Sequence, residues 1–203
     1  MALSRQDIAR SGLKLLNEAG LNGLTLRLIA ADLGVKAPAL YWHMKNKQEL
    51  LDEMATQMYR DSAAERAAPE SLGEWEAVAH GARTLRRMML AYRDGGKVFS
   101  GSYLADMSLI GEHPLRRSIE AGLDEGRAQR ATFTVYCFVI GYVIEEQAVR
   151  PMPGEFDERY RETAGEAVLG DADARFEDGL AMVLSGARGW LETPGQRGLG
   201  TPV

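Results

Sequence analysis

The chain has 203 residues, of which 45% are hydrophobic, enough for a packed core in one large domain or in a small domain joined to a larger one. Its net charge of −5 argues against a protein that coats nucleic acid, and its single cysteine, Cys137, excludes a disulfide framework and a cysteine-rich zinc site, which fits a reducing compartment. The charge is uneven: residues 1–60 hold eight Lys/Arg against six Asp/Glu, so a slightly basic head precedes a body with a balance of −7, a distribution suited to local contact with phosphates.

MALSRQDIAR lacks the apolar core of a signal peptide, and the longest apolar run, Phe133 to Ile144, is shorter than the roughly 18–20 residues of a membrane span, so no membrane is expected and the expected location is the cytoplasm. Apolar residues recur with a period of 3.6 from end to end, and no stretch alternates long enough for a strand; the predicted fold class is all-α. Ser4 to Asp7 reads as a capping arrangement before a helix with Ile8, Gly12, Leu15 and Leu16 on one face, broken by Gly20 and Gly23. Thr25 can cap a short helix through Leu33, Gly34 turns the chain, and Ala37 to His43 form a second short helix. Asn46 with Glu49 reads as another capping box, opening a helix from Lys47 to about Ala64.

AAPESLG, around Pro69, marks a junction, and a helix follows from about Gly73 to Tyr92. RDGGKVFSG, residues 93–101, reads as a loop by its three glycines. Further helices are expected near Leu104 to Ile110, Pro114 to Glu125, Ala128 to Ala148 and Asp173 to Leu191. PMPGEFDERYRETAGEAVLGD, between the last two, reads as a mobile acidic loop, and TPGQRGLGTPV as a disordered tail.

A helix of about two turns, a tight turn at glycine and a second helix carrying polar and aromatic groups is the geometry that lays one helix in the DNA major groove while the other braces on the backbone. Ile29, Ala30 and Leu33 can pack against Val35 and Leu40. Arg27 then sits at the start of the supporting helix, Lys36 at the mouth of the recognition helix, and Tyr41, Trp42, His43 and Lys47 just beyond, several of them donors suited to phosphate oxygens. On spacing alone, Tyr41 and Trp42 would serve as well as core anchors of an ordinary helix pair.

GLTLRLIAADLGVKAPALYWHMKNKQELLD resembles the DNA-binding domain of the tetracycline-repressor (TetR) family, and LYWHMKNKQELL is similar to its tetracycline-repressor subgroup. Fainter patches, YRDGGKV and GYVIEEQ, carry the likeness into the body. The resemblance implies contacts to a double-stranded DNA operator from Arg27, Ala37, Pro38, Ala39, Tyr41, Trp42, His43 and Lys47, with Lys36 a further candidate by position. Ala37 and Ala39 stand where the family's repressor has polar residues and offer only methyl contacts, and Lys36 replaces an acidic neighbour, so a different operator is expected.

In the body, Phe176, Leu180, Val183, Ala187 and Trp190 form an apolar stripe, and Ala128 to Ala148 is apolar nearly all round, which fits either a monomeric core or a face given to a partner chain. The resemblance implies the second, a homodimer joined by a bundle of its last helices, so that two recognition helices read a palindrome. It also implies a small-molecule inducer site whose occupancy opposes DNA binding.

The subgroup's magnesium-chelate site uses histidine and polar side chains where this chain has Ala63, Gly81, Leu85 and Phe99; Glu145 matches its acidic residue, but one carboxylate is a poor magnesium site. No cofactor or metal is therefore expected, and tetracycline–magnesium is disfavoured as inducer. Besides Glu145, the expected lining is Leu85, Met88, Met89, Phe99, Ser102, Tyr103, Met107, Phe133 and Tyr136, a set suited to a flat or greasy organic molecule. The expected division is a helix-turn-helix domain at 1–47, a connecting helix at 48–67, a ligand-binding and dimerisation domain at 68–192 and a tail at 193–203.

His80 and His113 lie in different segments without metal-site spacing, and no Gly-rich phosphate loop follows a strand, so no enzyme is expected. The reading is a homodimeric, ligand-responsive repressor. The alternative is a DNA-binding activator or architectural protein without a ligand, whose mark would be a solid body.

Overall fold

The computed structural model describes residues 3–160 and 170–193. The expected acidic loop at 151–171 falls partly outside them, and of the expected tail only Thr193 falls inside. Among the described residues all regular structure is helical, and no helix is long and apolar enough to cross a membrane.

Helix α1, Arg5–Gly23, starts at a reciprocal cap: the Ser4 hydroxyl accepts from the Asp7 amide at 3.1 Å while the Asp7 carboxylate accepts from the Ser4 amide at 3.0 Å. Gly20, at φ 65°, kinks its last turn. Thr25 caps α2, Leu26–Asp32, by accepting from the Leu28 amide, and Gly34, also left-handed, turns the chain into α3, Ala37–Tyr41. This helix ends two residues before the expected His43. Asn46 accepts from the Glu49 amide to start α4, Lys47–Asp61, but the Glu49 carboxylate reaches back to the Lys45 amide, one residue earlier than in a capping box. A short α5, Ala63–Arg66, follows a break at Ser62.

Helix α6, Glu74–Leu90, comes next, and then a correction to the sequence-based reading: Gly95–Phe99, expected in a loop, form a short helix α7. Its first two glycines serve close packing rather than flexibility. A Cβ on Gly95 would stand 2.0 Å from the Met89 carbonyl oxygen, and one on Gly96 would stand 3.0 Å from Val143, so only glycine lets α7 press between α6 and the long helix behind it. Gln147 locks the contact, accepting from the Gly96 amide at 2.9 Å and donating to the Tyr92 carbonyl at 2.7 Å.

The helix expected at Leu104 to Ile110 is only a 3-10 turn at Met107–Leu109, because the Asp106 carboxylate captures the Ser108 amide and hydroxyl. The next expected helix shrinks to α8, Arg116–Glu120. Helix α9, Glu125–Val149, starts earlier than expected because Asp124 caps it through the Arg127 amide, and α10, Ala172–Glu192, is capped by Asp171.

One continuous apolar cluster joins head to body, from Ile8 in α1 through Met54 and Met89 to Leu180 in α10. At the centre of the body Arg86, 8% exposed, makes two bonds to Glu146 at 2.7 and 2.9 Å and a third to Asp173 at 2.7 Å, with its guanidinium 4.7 Å from the Phe176 ring. Burial pushes this guanidinium down, but the two carboxylates outweigh it and leave Arg86 above its ordinary value. This group ties α6, α9 and α10 together.

Candidate DNA-reading head and ligand cavity

The supporting frame of the head is paired. Asp32 accepts from Ser11 at 2.7 Å and Lys14 at 2.6 Å, fixing α2 on α1, and Lys14, with Ser11, holds its carboxyl below the ordinary range. Arg5 reaches from α1 to Glu53 on α4 and to the His43 carbonyl, both at 2.5 Å. Sequence reasoning missed these clamps, since Arg5 and Glu53 lie 48 positions apart.

The outer ridge is different. Trp42 is 89% exposed and Tyr41 55%, so neither is a core anchor; the residue that anchors α3 is Leu40, fully buried. Pro38 is exposed, and Ala37, Ala39 and His43 are half-buried beside it. Among the described residues Arg27, Lys36, Lys45 and Lys47 are exposed and pair with no carboxylate, although Lys47 donates to the Leu21 carbonyl at 2.9 Å. Uncompensated cations around exposed aromatic rings on a short, rigidly held helix are equipped to contact a polyanion.

The body holds a half-open cavity of about 740 Å³ between α4, α5, α6, α9 and the segment after α7. Val78, Gly81, Ala82 and Leu85 line it from α6, Thr132, Val135, Tyr136 and Val139 from α9, and Tyr59, Arg66, Phe99 and Ser102 from between. Beside it, outside the lining, His113 fixes Thr132: the Leu115 amide donates to Nδ1, so the neutral ring carries its proton on Nε2 and donates to Thr132 Oγ at 3.2 Å. The size and apolar lining are those of a small-molecule site.

Residues 8–54 match the sequence signature of bacterial regulatory proteins of the tetR family, and residues 68–190 that of the tetracyclin repressor-like C-terminal domain. The chain belongs to the TetR family. It is 36% identical over 195 residues to the tetracycline repressor protein class A from transposon 1721 of Escherichia coli, covering 91% of this chain and 90% of that protein. The crystal structure of a TetR variant from Acinetobacter baumannii AYE in complex with minocycline superposes with a TM-score of 0.78 at 29% identity, over 95% of this chain and all of that one. BioQ with its double-stranded DNA operator superposes with a TM-score of 0.67 at 26% identity, over 93% of this chain and 99% of that one. The TetR family is one of regulators, not of enzymes.

Within this TetR-family body, four of the side chains expected to line a pocket reach the cavity: Leu85, Phe99, Ser102 and Tyr136. Met88 and Met89 do not. They lie one turn beyond Leu85, where α6 turns to the core beneath α7, and Met89 is fully buried there. Tyr103 is 67% exposed with its amide on Asp52, Met107 is exposed on the 3-10 turn, and Phe133 is exposed on the outer side of α9, stacked on Tyr136. Glu145 is exposed outside the cavity.

Among the described residues no three His, Cys, Asp or Glu side chains converge, and His80 bonds the Glu65 carbonyl at 2.8 Å. Sequence reasoning missed Tyr59, Arg66 and Val78, which only the approach of α4, α5 and α6 brings to one wall.

The apolar stripe of α10 is also corrected. Phe176 and Leu180 are buried inside the protomer, with Phe176 stacked among Phe138 and Tyr142, because this end of α10 docks in the seam between α6 and α9. Val183 and Ala187 are half-buried in a groove beside α9, and Trp190 is exposed. Ala181, Met182, Ser185 and Gly189 of α10 are exposed, as are Thr134, Cys137 and Gly141 of α9.

Proposed function

We propose that this TetR-family regulator is a ligand-responsive repressor that binds a palindromic double-stranded DNA operator as a homodimer and leaves it when a small hydrophobic or aromatic molecule enters the body cavity. The observation that carries the reading is the presence, in one chain, of exposed Tyr41 and Trp42 among uncompensated cations and of a cavity sized for a drug-like molecule. The minocycline complex and the operator complex of its structural relatives support the two halves. A cavity of this size is the feature that a ligand-free architectural protein has no use for.

Arg27, Lys36, Tyr41, His43 and Lys47 contact phosphates, while Pro38, Trp42 and the methyl groups of Ala37 and Ala39 face base edges, so readout relies on shape and thymine methyls more than on bidentate hydrogen bonds. Residues 1–47 form the DNA-binding unit, 48–67 the connection and 68–192 the ligand-binding and dimerising unit. The free faces of α9 and α10, rich in small residues, permit the close approach of a second copy. A magnesium–tetracycline chelate is not the inducer.

The test is selection of bound duplexes from a random pool at two salt concentrations. One enriched palindrome with half-sites about one helical turn apart is expected. Lys47→Ala should lower the salt slope of its binding by about one unit. Enrichment of nothing, or of sequences without symmetry, overturns the repressor reading; an operator that no entrant to the cavity releases leaves the activator or architectural protein.

A further inference from the structure

One charge in the cavity wall is left unbalanced. Arg66, at the end of α5, lies with its guanidinium 3.3 Å from the centroid of the Tyr59 ring, and Tyr59 stacks in turn on Phe99 at 6.2 Å. Arg66 Nε donates to Ser62 Oγ at 3.1 Å and one terminal nitrogen to the Tyr59 carbonyl at 3.0 Å. These bonds fix the fork and leave its other N–H groups uncommitted.

Among the described residues no carboxylate pairs with Arg66. The acidic groups nearby are engaged elsewhere: Glu112, in the same wall, with Arg116 at 2.9 Å, and Glu65, its chain neighbour, with Arg87 at 3.6 Å. Two of the cavity hydroxyls are also used, Ser102 donating to the Val98 carbonyl and Thr132 to that of Ala128.

Resting on the reading of this cavity as the inducer site, we propose that the inducer is a planar aromatic acid whose carboxylate, or an equally delocalised oxyanion, binds the Arg66 fork while its rings lie against the apolar walls beside Tyr59 and Phe99. A planar guanidinium held by two backbone-proximal bonds and one aromatic face matches a carboxylate in two parallel hydrogen bonds, which a lysine could not. A neutral analogue of the same shape would fill the apolar space and leave Arg66 without a counter-charge, so the site discriminates by charge as well as by fit.

Two probes decide it: anthracene-9-carboxylate and its carboxamide, titrated against the full chain by fluorescence. The acid should bind at least about tenfold more tightly than the amide. In Arg66→Gln the preference should fall to about onefold with amide affinity unchanged, and in Arg66→Lys it should be intermediate. Thermal midpoints report whether the variants fold; should Arg66→Gln not fold, the wild-type preference and the lysine variant still decide. Equal binding of the two probes, preference for the amide, binding of neither, or a preference that survives in the folded glutamine variant each overturns the inference. Failure of the repressor reading is seen separately: it removes operator selection without altering the acid-to-amide ratio, whereas failure of this inference leaves operator binding in place.

Discussion

The head closes its core completely, whereas the body keeps a hole in its own. In the head Ile8, Leu16, Leu24, Ile29, Leu40, Met44 and Leu50 are all within a percent of full burial, and the long-range clamps from Arg5 and Lys14 end on carboxylates. In the body α6 and α9 are buttressed on one side by Arg86, Glu146 and Phe176 and held apart on the other around about 740 Å³ of unfilled space. Unfilled apolar volume forfeits packing energy, so a chain that fills one core and spares another is using the space. The head is a rigid platform for α3; the body is a frame around a hollow.

The largest way to test that contrast is to break the frame on its solid side. Glu146→Ala leaves the buried Arg86 with only the exposed Asp173 of its two carboxylates and should cost about 3–5 kcal/mol in denaturant unfolding; a loss below about 1 kcal/mol would mean that the ion pair is not what holds α6 on α9. Next, Leu40→Ala in the head should cost about 2–5 kcal/mol, and Leu85→Ala in the cavity wall less than half as much, because its methyl groups already face open space. Equal losses would deny the cavity.

Glycine sharpens the same comparison. Gly95→Ala forces a Cβ into the Met89 carbonyl and should destabilise by about 1–3 kcal/mol, whereas a Cβ on Gly81 meets nothing within 4 Å, so Gly81→Ala in mid-helix should stabilise by about 0.8–1 kcal/mol while narrowing the cavity.

The smallest effect concerns the joint between the two regions. The Asp94 carboxylate accepts from the Leu21 amide of α1 at 3.0 Å and from Lys97 at 2.9 Å. Burial pushes its carboxyl up, but these two donors outweigh it and set it below the ordinary 3.8. A depressed folded value contributes stability above the ordinary value and loses it as pH falls through the folded one. Asp94→Asn should therefore lower the unfolding midpoint most at neutral pH, where the contribution is fully present, and flatten its decline below about pH 4; an unchanged acid limb would remove Asp94 from the joint.

Local signals read well wherever the chemistry was local. Ser4, Thr25, Asn46 and Gly34 announced the ends of the head's helices because a cap or a left-handed turn involves residues three or four apart. The same reasoning failed at Gly95–Phe99, where glycines resemble those of a loop although the neighbours that demand them, Met89 and Val143, come from other helices. It failed again for Phe176 and Leu180, whose periodicity announced a buried stripe without saying what buries it, and for Met88 and Met89, which share a helix with the cavity wall but not its angle.

By itself, then, the sequence determined the helical class, the helix-turn-helix and the TetR likeness, since period, caps and the run from Tyr41 to Lys47 are properties of neighbouring residues. Only the tertiary structure decided that Tyr41 and Trp42 stand free, that the stripe of α10 turns inward, and that Arg66 faces a cavity without a counter-charge. Burial and charge balance depend on which distant helices meet, and nothing in the spacing of residues along one helix encodes the approach of another.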